Sequence, residues 1–167
     1  LVEFAVNEPM DDGIFAAPTA KMLEKMTRGM TLRGRLENIV VHGASLAGNL
    51  IGDSPDRPVT VYLPPSYDRE PARRYPVVYL LHGFGGNNIL YTQPALPTNI
   101  VLPAERAFAA GAREMILVVP SAANAFGGSM YSCSAATGDW ESFIARDLVD
   151  YVDGHYRTVP DRTGRGL

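Results

Sequence analysis

Two unbroken apolar runs, Val77-Val78-Tyr79-Leu80-Leu81 and Met115-Ile116-Leu117-Val118-Val119, constrain this chain more than any other feature. A strand that is apolar at every position has both faces covered, which is the condition of a central strand in a parallel sheet. Between the runs, Pro103 suits the first turn of a helix that continues through Phe108 and stops near Gly111. Strand, helix, strand makes the two runs parallel through a right-handed crossover, with helices on both faces of their sheet. The expected class is α/β.

The flanking segments extend that sheet. Leu36, Ile39, Val40 and Val41 lead into His42-Gly43, and Val59-Thr60-Val61-Tyr62-Leu63 runs into Pro64-Pro65, so two further strands are expected. Asp139 can cap a helix in which Trp140, Phe143, Ile144, Leu148, Tyr151, Val152 and Tyr156 recur at three- and four-residue steps. That helix should end near His155-Tyr156-Arg157, and the turn from Pro160 to Gly164 hands over to a new strand at Arg165-Gly166-Leu167. Residues 1–34 carry less pattern. Thr19 could cap a short helix holding Met22, Leu23 and Met26 and ending at Gly29, an accessory segment ahead of a core at 35–167.

Charge removes several function classes. Fifteen Lys and Arg against eighteen Asp and Glu leave a net charge of -3, without the basic footprint of a nucleic-acid binder or a polybasic membrane anchor. No run approaches the roughly 20 apolar residues of a membrane span. The lone Cys133 excludes an internal disulfide and a cysteine-based zinc site. His42, His82 and His155 lie far apart without H-x-H or H-E-x-x-H spacing, so neither metal nor cofactor is expected.

His82-Gly83-Phe84-Gly85-Gly86 closes the first apolar run. Its glycines allow a sharp turn with free N–H groups at the carboxyl edge of the sheet, where α/β proteins bind ligands and where an N–H can stabilise an oxyanion. A turn needed only to leave the strand fits the same five residues equally well. A phosphate loop does not fit: G-x-G-x-x-G and Gly-Lys-Ser/Thr are both missing, and the last lysine in the chain is Lys25.

Further segments fall in a recognisable order. Val61-Tyr62-Leu63-Pro64-Pro65-Ser66-Tyr67 precedes Tyr75 to Gly83 and Met115 to Pro120. Gly127-Gly128-Ser129-Met130-Tyr131, Thr137-Gly138-Asp139-Trp140-Glu141, Asp147-Leu148-Val149 and His155-Tyr156-Arg157-Thr158 follow. In this order and spacing they resemble the esterase D and antigen 85-like branch of the α/β-hydrolase fold, from about Leu36 to Leu167. The resemblance implies a mostly parallel sheet flanked by helices and ester hydrolysis by a Ser-His-Asp/Glu triad, its serine on a G-x-S-x-G elbow after the strand that begins at Arg165. The elbow would lie past Leu167, with the acid and histidine later still, so a core truncated before the nucleophile is expected. The opening at Leu1, without Met or a secretory signal, likewise suits a processed protein or a fragment.

On this resemblance Phe84 and Gly85 would offer oxyanion-hole N–H groups, with His82, Gly83 and Gly86 shaping the loop behind them. Asn124, Ser129 and Tyr131 would line the pocket of a small-molecule or carbohydrate-linked ester; feruloyl and acetyl esters, S-formylglutathione and mycolyl transfer all occur among the proteins resembled. A secreted or periplasmic location is the expectation. Ser121, Met130 and Cys133 depart from the usual residues of the family, which bears on substrate contacts and not on the fold. The alternative is a non-catalytic fragment or binding module that retains the crevice.

Other residues invite chemistry but read better as structure. Gly43-Ala44-Ser45-Leu46-Ala47 lacks the last glycine of an elbow and is followed by turn formers. Cys133 shows no cation or helix start to activate it, and a semi-buried small side chain is expected. Asp147 falls inside the apolar arc of its helix and needs a partner, with Arg157 and Arg165 as candidates. Tyr62, Tyr67, Tyr75 and Tyr79 are read as packing.

Overall fold

The apolar runs become neighbouring strands with both faces covered. The computed structural model describes residues 31–167, and Thr31–Leu167 is one compact unit; the helix expected after Thr19 lies outside the described residues. The main sheet contains β1 (Arg35–His42), β2 (Asp56–Leu63), β3 (Val77–Tyr79), β4 (Ile116–Pro120) and, after a small hairpin of β5 (Cys133–Ser134) and β6 (Gly138–Asp139), β7 (Arg165–Gly166). Its order is β1-β2-β4-β3-β7. β2 is antiparallel to both of its neighbours, whereas β4 with β3 and β3 with β7 are parallel, so β2 alone opposes the common direction.

Side-chain alternation divides the core between the two faces of the sheet. Val77 and Tyr79 of β3 and Ile116 and Val118 of β4 join Val59, Val61, Trp140, Phe143, Leu148 and Val152 in one cluster. Leu117 of β4 and Val78 of β3 turn to the other face, with Tyr62, Val101 and Phe108. After the single turn α1 (Ile89–Thr92), helix α2 (Val101–Ala109), with Pro103 in its first turn, supplies Val101 and Phe108. The opposite face is covered by a helix running through α3 (Trp140–Ser142), a π-helical stretch (Phe143–Asp147) and α4 (Leu148–His155). Asp139 caps it as its position predicts, accepting the Ser142 N–H at 3.0 Å.

The π stretch corrects the expected partners of Asp147. A π turn interrupts the α-helical period on which the projected arc depends. The carboxylate instead meets the 3-10 turn Ala44–Leu46, where Oδ2 accepts the Ser45 N–H at 2.9 Å and the Ser45 hydroxyl at 2.8 Å. The two arginines are engaged elsewhere: Arg165 pairs with Asp153, and Arg157 donates to the carbonyls of Tyr67 and Arg73. Replacing Asp147 with Ala should cost about 1–3 kcal/mol in a denaturant melt, because the half-buried Ser45 donors lose their acceptor.

Glu105 of α2 is a buried carboxylate that the sequence does not single out. Its Oε1 accepts the Arg33 N–H at 2.8 Å, the Gly34 N–H at 2.7 Å and the Tyr62 hydroxyl at 2.9 Å, tying the entry of β1 and the end of β2 to the helix. Tyr62, Tyr67, Tyr75 and Tyr79 are all buried, and the rings of Tyr67 and Tyr75 lie 5.4 Å apart.

Burial raises the phenols of Tyr62, Tyr79 and Tyr156 well above their ordinary value and pushes that of Tyr131 up to about 12. A phenol that ionises later in the folded than in the unfolded chain favours unfolding once the unfolded phenol loses its proton. The fold should therefore keep this contribution below about pH 10 and lose it progressively above. Melting temperatures across that range check the sign, and Tyr131→Phe should flatten the part of the decline between pH 10 and about 12.

Candidate active site

Parallel β3 and β4 deliver their carboxyl ends to the same edge of the sheet, where the loops at 80–86 and 121–131 meet. The ladder persists one residue beyond β3, with the Leu80 N–H on the Val118 carbonyl at 2.8 Å. His82 then turns inward and is 3% exposed. Its Nε2 accepts the Ala122 N–H at 2.8 Å, which places the ring proton on Nδ1, where it can donate to the Gly83 carbonyl at 2.8 Å. One imidazole thus joins the loop after β3 to the loop after β4.

Gly85 takes the left-handed backbone conformation, at φ +74°, that a side chain disfavours. Its N–H donates to the Gly127 carbonyl at 2.9 Å, and the Gly86 N–H closes a turn on the Gly83 carbonyl at 3.0 Å. Of the two expected donors, then, Gly85 is already engaged, whereas the Phe84 N–H has no acceptor among the described residues. The Phe84 ring lies over the glycine pair opposite: a Cβ on Gly127, itself at φ +89°, would stand 3.0 Å from the ring.

A cavity of about 130 Å³ opens here, lined by His82, Phe84, Ala122, Ser129, Met130 and Tyr131 with glycine backbone between them. Phe84, Phe126 and Met130 are 69%, 63% and 72% exposed, an apolar surface on the two loops. Met130 and Tyr131 are successive non-glycine residues in the left-handed region, at φ 55° and 54°. Such conformations cost on the order of 1–3 kcal/mol each and collect at functional sites. Ser129 is buried and accepts the Tyr131 N–H on Oγ at 3.1 Å, while the Tyr131 hydroxyl donates to the His82 carbonyl at 3.1 Å.

Asn124 does not line this cavity. Its Oδ1 accepts the N–H groups of Phe126 and Gly128, both at 2.9 Å, so it folds the loop that carries the lining residues. Two further loop-holding residues escape the sequence reading. Asp53 accepts the Ala125 N–H at 3.0 Å, and Arg57 reaches the carbonyls of Ser121 and Ala123. The only sequence hint is a charged residue just ahead of the apolar stretch of β2.

The remaining candidates lie apart from these loops. Cys133 is exposed, not semi-buried, its two-residue strand lying opposite Asp139 in a two-stranded hairpin separate from the main sheet. The Asp139 carboxylate pushes the thiol up, away from the thiolate a nucleophile requires. His155 stacks on Tyr151 at 3.9 Å, and His42 pairs with Asp56 at 2.7 Å. Among the described residues no group of three His, Cys, Asp or Glu side chains could hold a metal ion, and no helix is long and apolar enough to cross a membrane.

Comparison with known proteins bears on the family and the fold. The family model described as "Putative esterase" matches residues 54–167. Esterase Rv1288 of Mycobacterium tuberculosis is 30% identical over 110 residues, which is 65% of this chain and 22% of the relative. A solved ferulic acid esterase superposes with a TM-score of 0.64 at 25% identity, covering 81% of this chain and 48% of its own. A feruloyl esterase module from Clostridium thermocellum, complexed with sinapinate, gives a TM-score of 0.53 at 25% identity, with 75% and 37% coverage. The chain therefore spans less than half of either solved esterase and about a fifth of the curated relative. With the family model covering more than half of its length, on a sheet whose neighbours are α/β-hydrolases, this chain belongs to the esterase family of the α/β-hydrolase fold.

Proposed function

We propose that the crevice between residues 80–86 and 121–131 is the oxyanion side of a carboxylic-ester hydrolase site working through an acyl-enzyme. When a serine attacks the ester carbonyl, the carbonyl oxygen gains negative charge, and a donor already in place stabilises it without reorganisation. The observation that carries the reading is the Phe84 N–H, without an acceptor among the described residues and beside an apolar cavity, while the neighbouring Gly85 N–H is held by Gly127. His82 and Asn124 act behind the site by fixing the two loops.

None of the serines stands in G-x-S-x-G; Ser45 and Ser129 each lack the final glycine. Nucleophile, acid and general-base histidine are accordingly assigned to residues outside these 167, and the chain alone is expected to be inactive. The substrate would be a small-molecule or carbohydrate-linked ester. The apolar surface of Phe84, Phe126 and Met130 suits a planar aromatic acyl group, in keeping with the ferulate and sinapinate named for similar solved esterases.

The lack of an elbow also favours a second reading, a module that binds in the crevice without turnover. Release of p-nitrophenol from p-nitrophenyl acetate, and of ferulate from methyl ferulate, should be measured for the 167-residue chain and for the protein read through beyond Leu167. Turnover by the longer protein alone is expected. A folded longer protein that binds ferulate but hydrolyses neither ester would establish the binding module instead.

A further inference from the structure

Arg57 is 8% exposed, a burial that a guanidinium tolerates only when its donors are spent. Nε donates to the Ser121 carbonyl at 3.3 Å, Nη1 to the Ser54 carbonyl at 3.2 Å, and Nη2 to the Ala123 carbonyl. The guanidinium carbon lies 4.9 Å from the ring centroid of Trp140. Burial lowers its pKa from the ordinary arginine value, with Asp53 acting in the opposite sense. Among the described residues no carboxylate forms an ion pair with it. The planar fork is spent on main-chain carbonyls, whose direction it sets as a point charge could not.

Between the two loop carbonyls that Arg57 holds, the Ala122 N–H donates to His82 at 2.8 Å. The first three residues of the loop after β4 are thus gripped from both sides, carbonyls by a strand arginine and the amide by the histidine of the oxyanion loop. Downstream, Asn124 folds the turn through the amides of Phe126 and Gly128, and the Gly127 carbonyl inside that turn takes the Gly85 N–H. Asp53, four residues before Arg57, adds the Ala125 amide. A continuous chain of bonded groups runs from Arg57 to the residue that follows Phe84.

We propose that Arg57 is a positioning residue for the oxyanion donor: it fixes the 121–131 loop so that the Gly127 carbonyl holds Gly85 and the Phe84 N–H faces the crevice. The proposal rests on the ester-hydrolase reading of that crevice. Arg57→Met keeps an apolar stem beside Trp140 and deletes the fork; Arg57→Lys keeps a charge and a single donor centre.

Two readouts test it. In the longer, active protein Arg57→Met should lower kcat about 10–100-fold with KM moving no more than about twofold, since a small misplacement of a fixed group costs rate, and Arg57→Lys should recover part of the loss. Amide hydrogen exchange should show Gly85 losing about tenfold or more of its protection while Leu80, bonded within the sheet, keeps its own. Unchanged kcat and Gly85 exchange in a folded Arg57→Met protein overturn the proposal. Equal loss of protection at Gly85 and Leu80 also overturns it, since the arginine then supports the whole fold. Should Arg57→Met not fold, Arg57→Lys carries both measurements. A wild-type protein without ester turnover, in which Gly85 exchange still answers to Arg57, overturns the hydrolase reading and the catalytic half of this proposal, and leaves the loop clamp standing.

Discussion

Where the protein read through beyond Leu167 turns over an ester, Phe84→Pro is expected to lower its kcat about 10²–10³-fold, the effect of removing one oxyanion donor in a well-studied protease. Proline deletes the backbone N–H and nothing else that Phe84 contributes electrostatically. Phe84 is the second residue of a turn that the Gly86 N–H closes on the Gly83 carbonyl, with the third, Gly85, at positive φ, and this is a position that proline favours. Phe84→Ala is the discriminating partner. It keeps the N–H and removes the ring from the cavity and from the Gly127–Gly128 backbone. Its kcat should stay within about tenfold of wild type while KM rises, since truncating an apolar contact weakens ground- and transition-state binding together. Equal loss of kcat in both variants would assign the effect to the ring and remove Phe84 from the oxyanion role.

The largest stability effect is expected at Glu105. Its Oε1 gathers the amides of Arg33 and Gly34 and the Tyr62 hydroxyl, and Tyr62 is fully buried. Glu105→Leu leaves all three donors without an acceptor. At about 1–3 kcal/mol for each unsatisfied buried group, and with Arg33 and Gly34 nearer the surface, the total should be about 3 kcal/mol, or roughly a 10 °C fall in Tm. Glu105→Gln retains the Oε1 acceptor and should recover most of it. Thermal melts of the two variants separate the acceptor from the charge: a Gln protein as unstable as the Leu protein would show that the negative charge, not the accepting oxygen, holds the corner together.

What can be read from the sequence depends on how far apart the interacting residues lie along the chain. β3 and β4 are legible because burial on both faces leaves its mark on every residue of the run, and the split of Val77, Val78, Ile116 and Leu117 between two core clusters follows from the pleat alone. The Asp139 cap is legible because its partner Ser142 lies three residues away. Glu105, by contrast, meets partners 71 and 72 positions distant, and Arg57 reaches carbonyls 64 and 66 positions on. No local pattern encodes such pairs. Asp147 belongs with them, since its partner Ser45 lies 102 positions away, and the π stretch that carries it is in addition invisible to a 3.6-residue projection.

The candidate site divides along the same line. His82-Gly83-Phe84-Gly85-Gly86 announces a turn with free amides at the end of a buried strand, which is a local property of glycine-rich sequence. Which amide stays free is decided by the Gly127 carbonyl, brought in from the loop after β4. Asn124, read in the sequence as a pocket-lining residue, spends its Oδ1 on the Phe126 and Gly128 amides of its own loop. The choice of free amide requires the two loops to be seen together, whereas the Asn124 bonds reach amides only two and four residues on and are the kind of local turn an Asn signals.

The most direct test follows the Phe84 amide itself. The longer protein, labelled with 15N, should be inhibited with a p-nitrophenyl phosphonate that leaves a tetrahedral, negatively charged adduct on the nucleophile, and amide spectra should be recorded before and after. The Phe84 N–H should move downfield and gain protection from exchange as it takes up the phosphonyl oxygen, while the Gly85 N–H, already bonded to Gly127, should change little. An adduct that leaves Phe84 unmoved and shifts an amide elsewhere in the protein would contradict the assignment of this crevice as the oxyanion side of an esterase site.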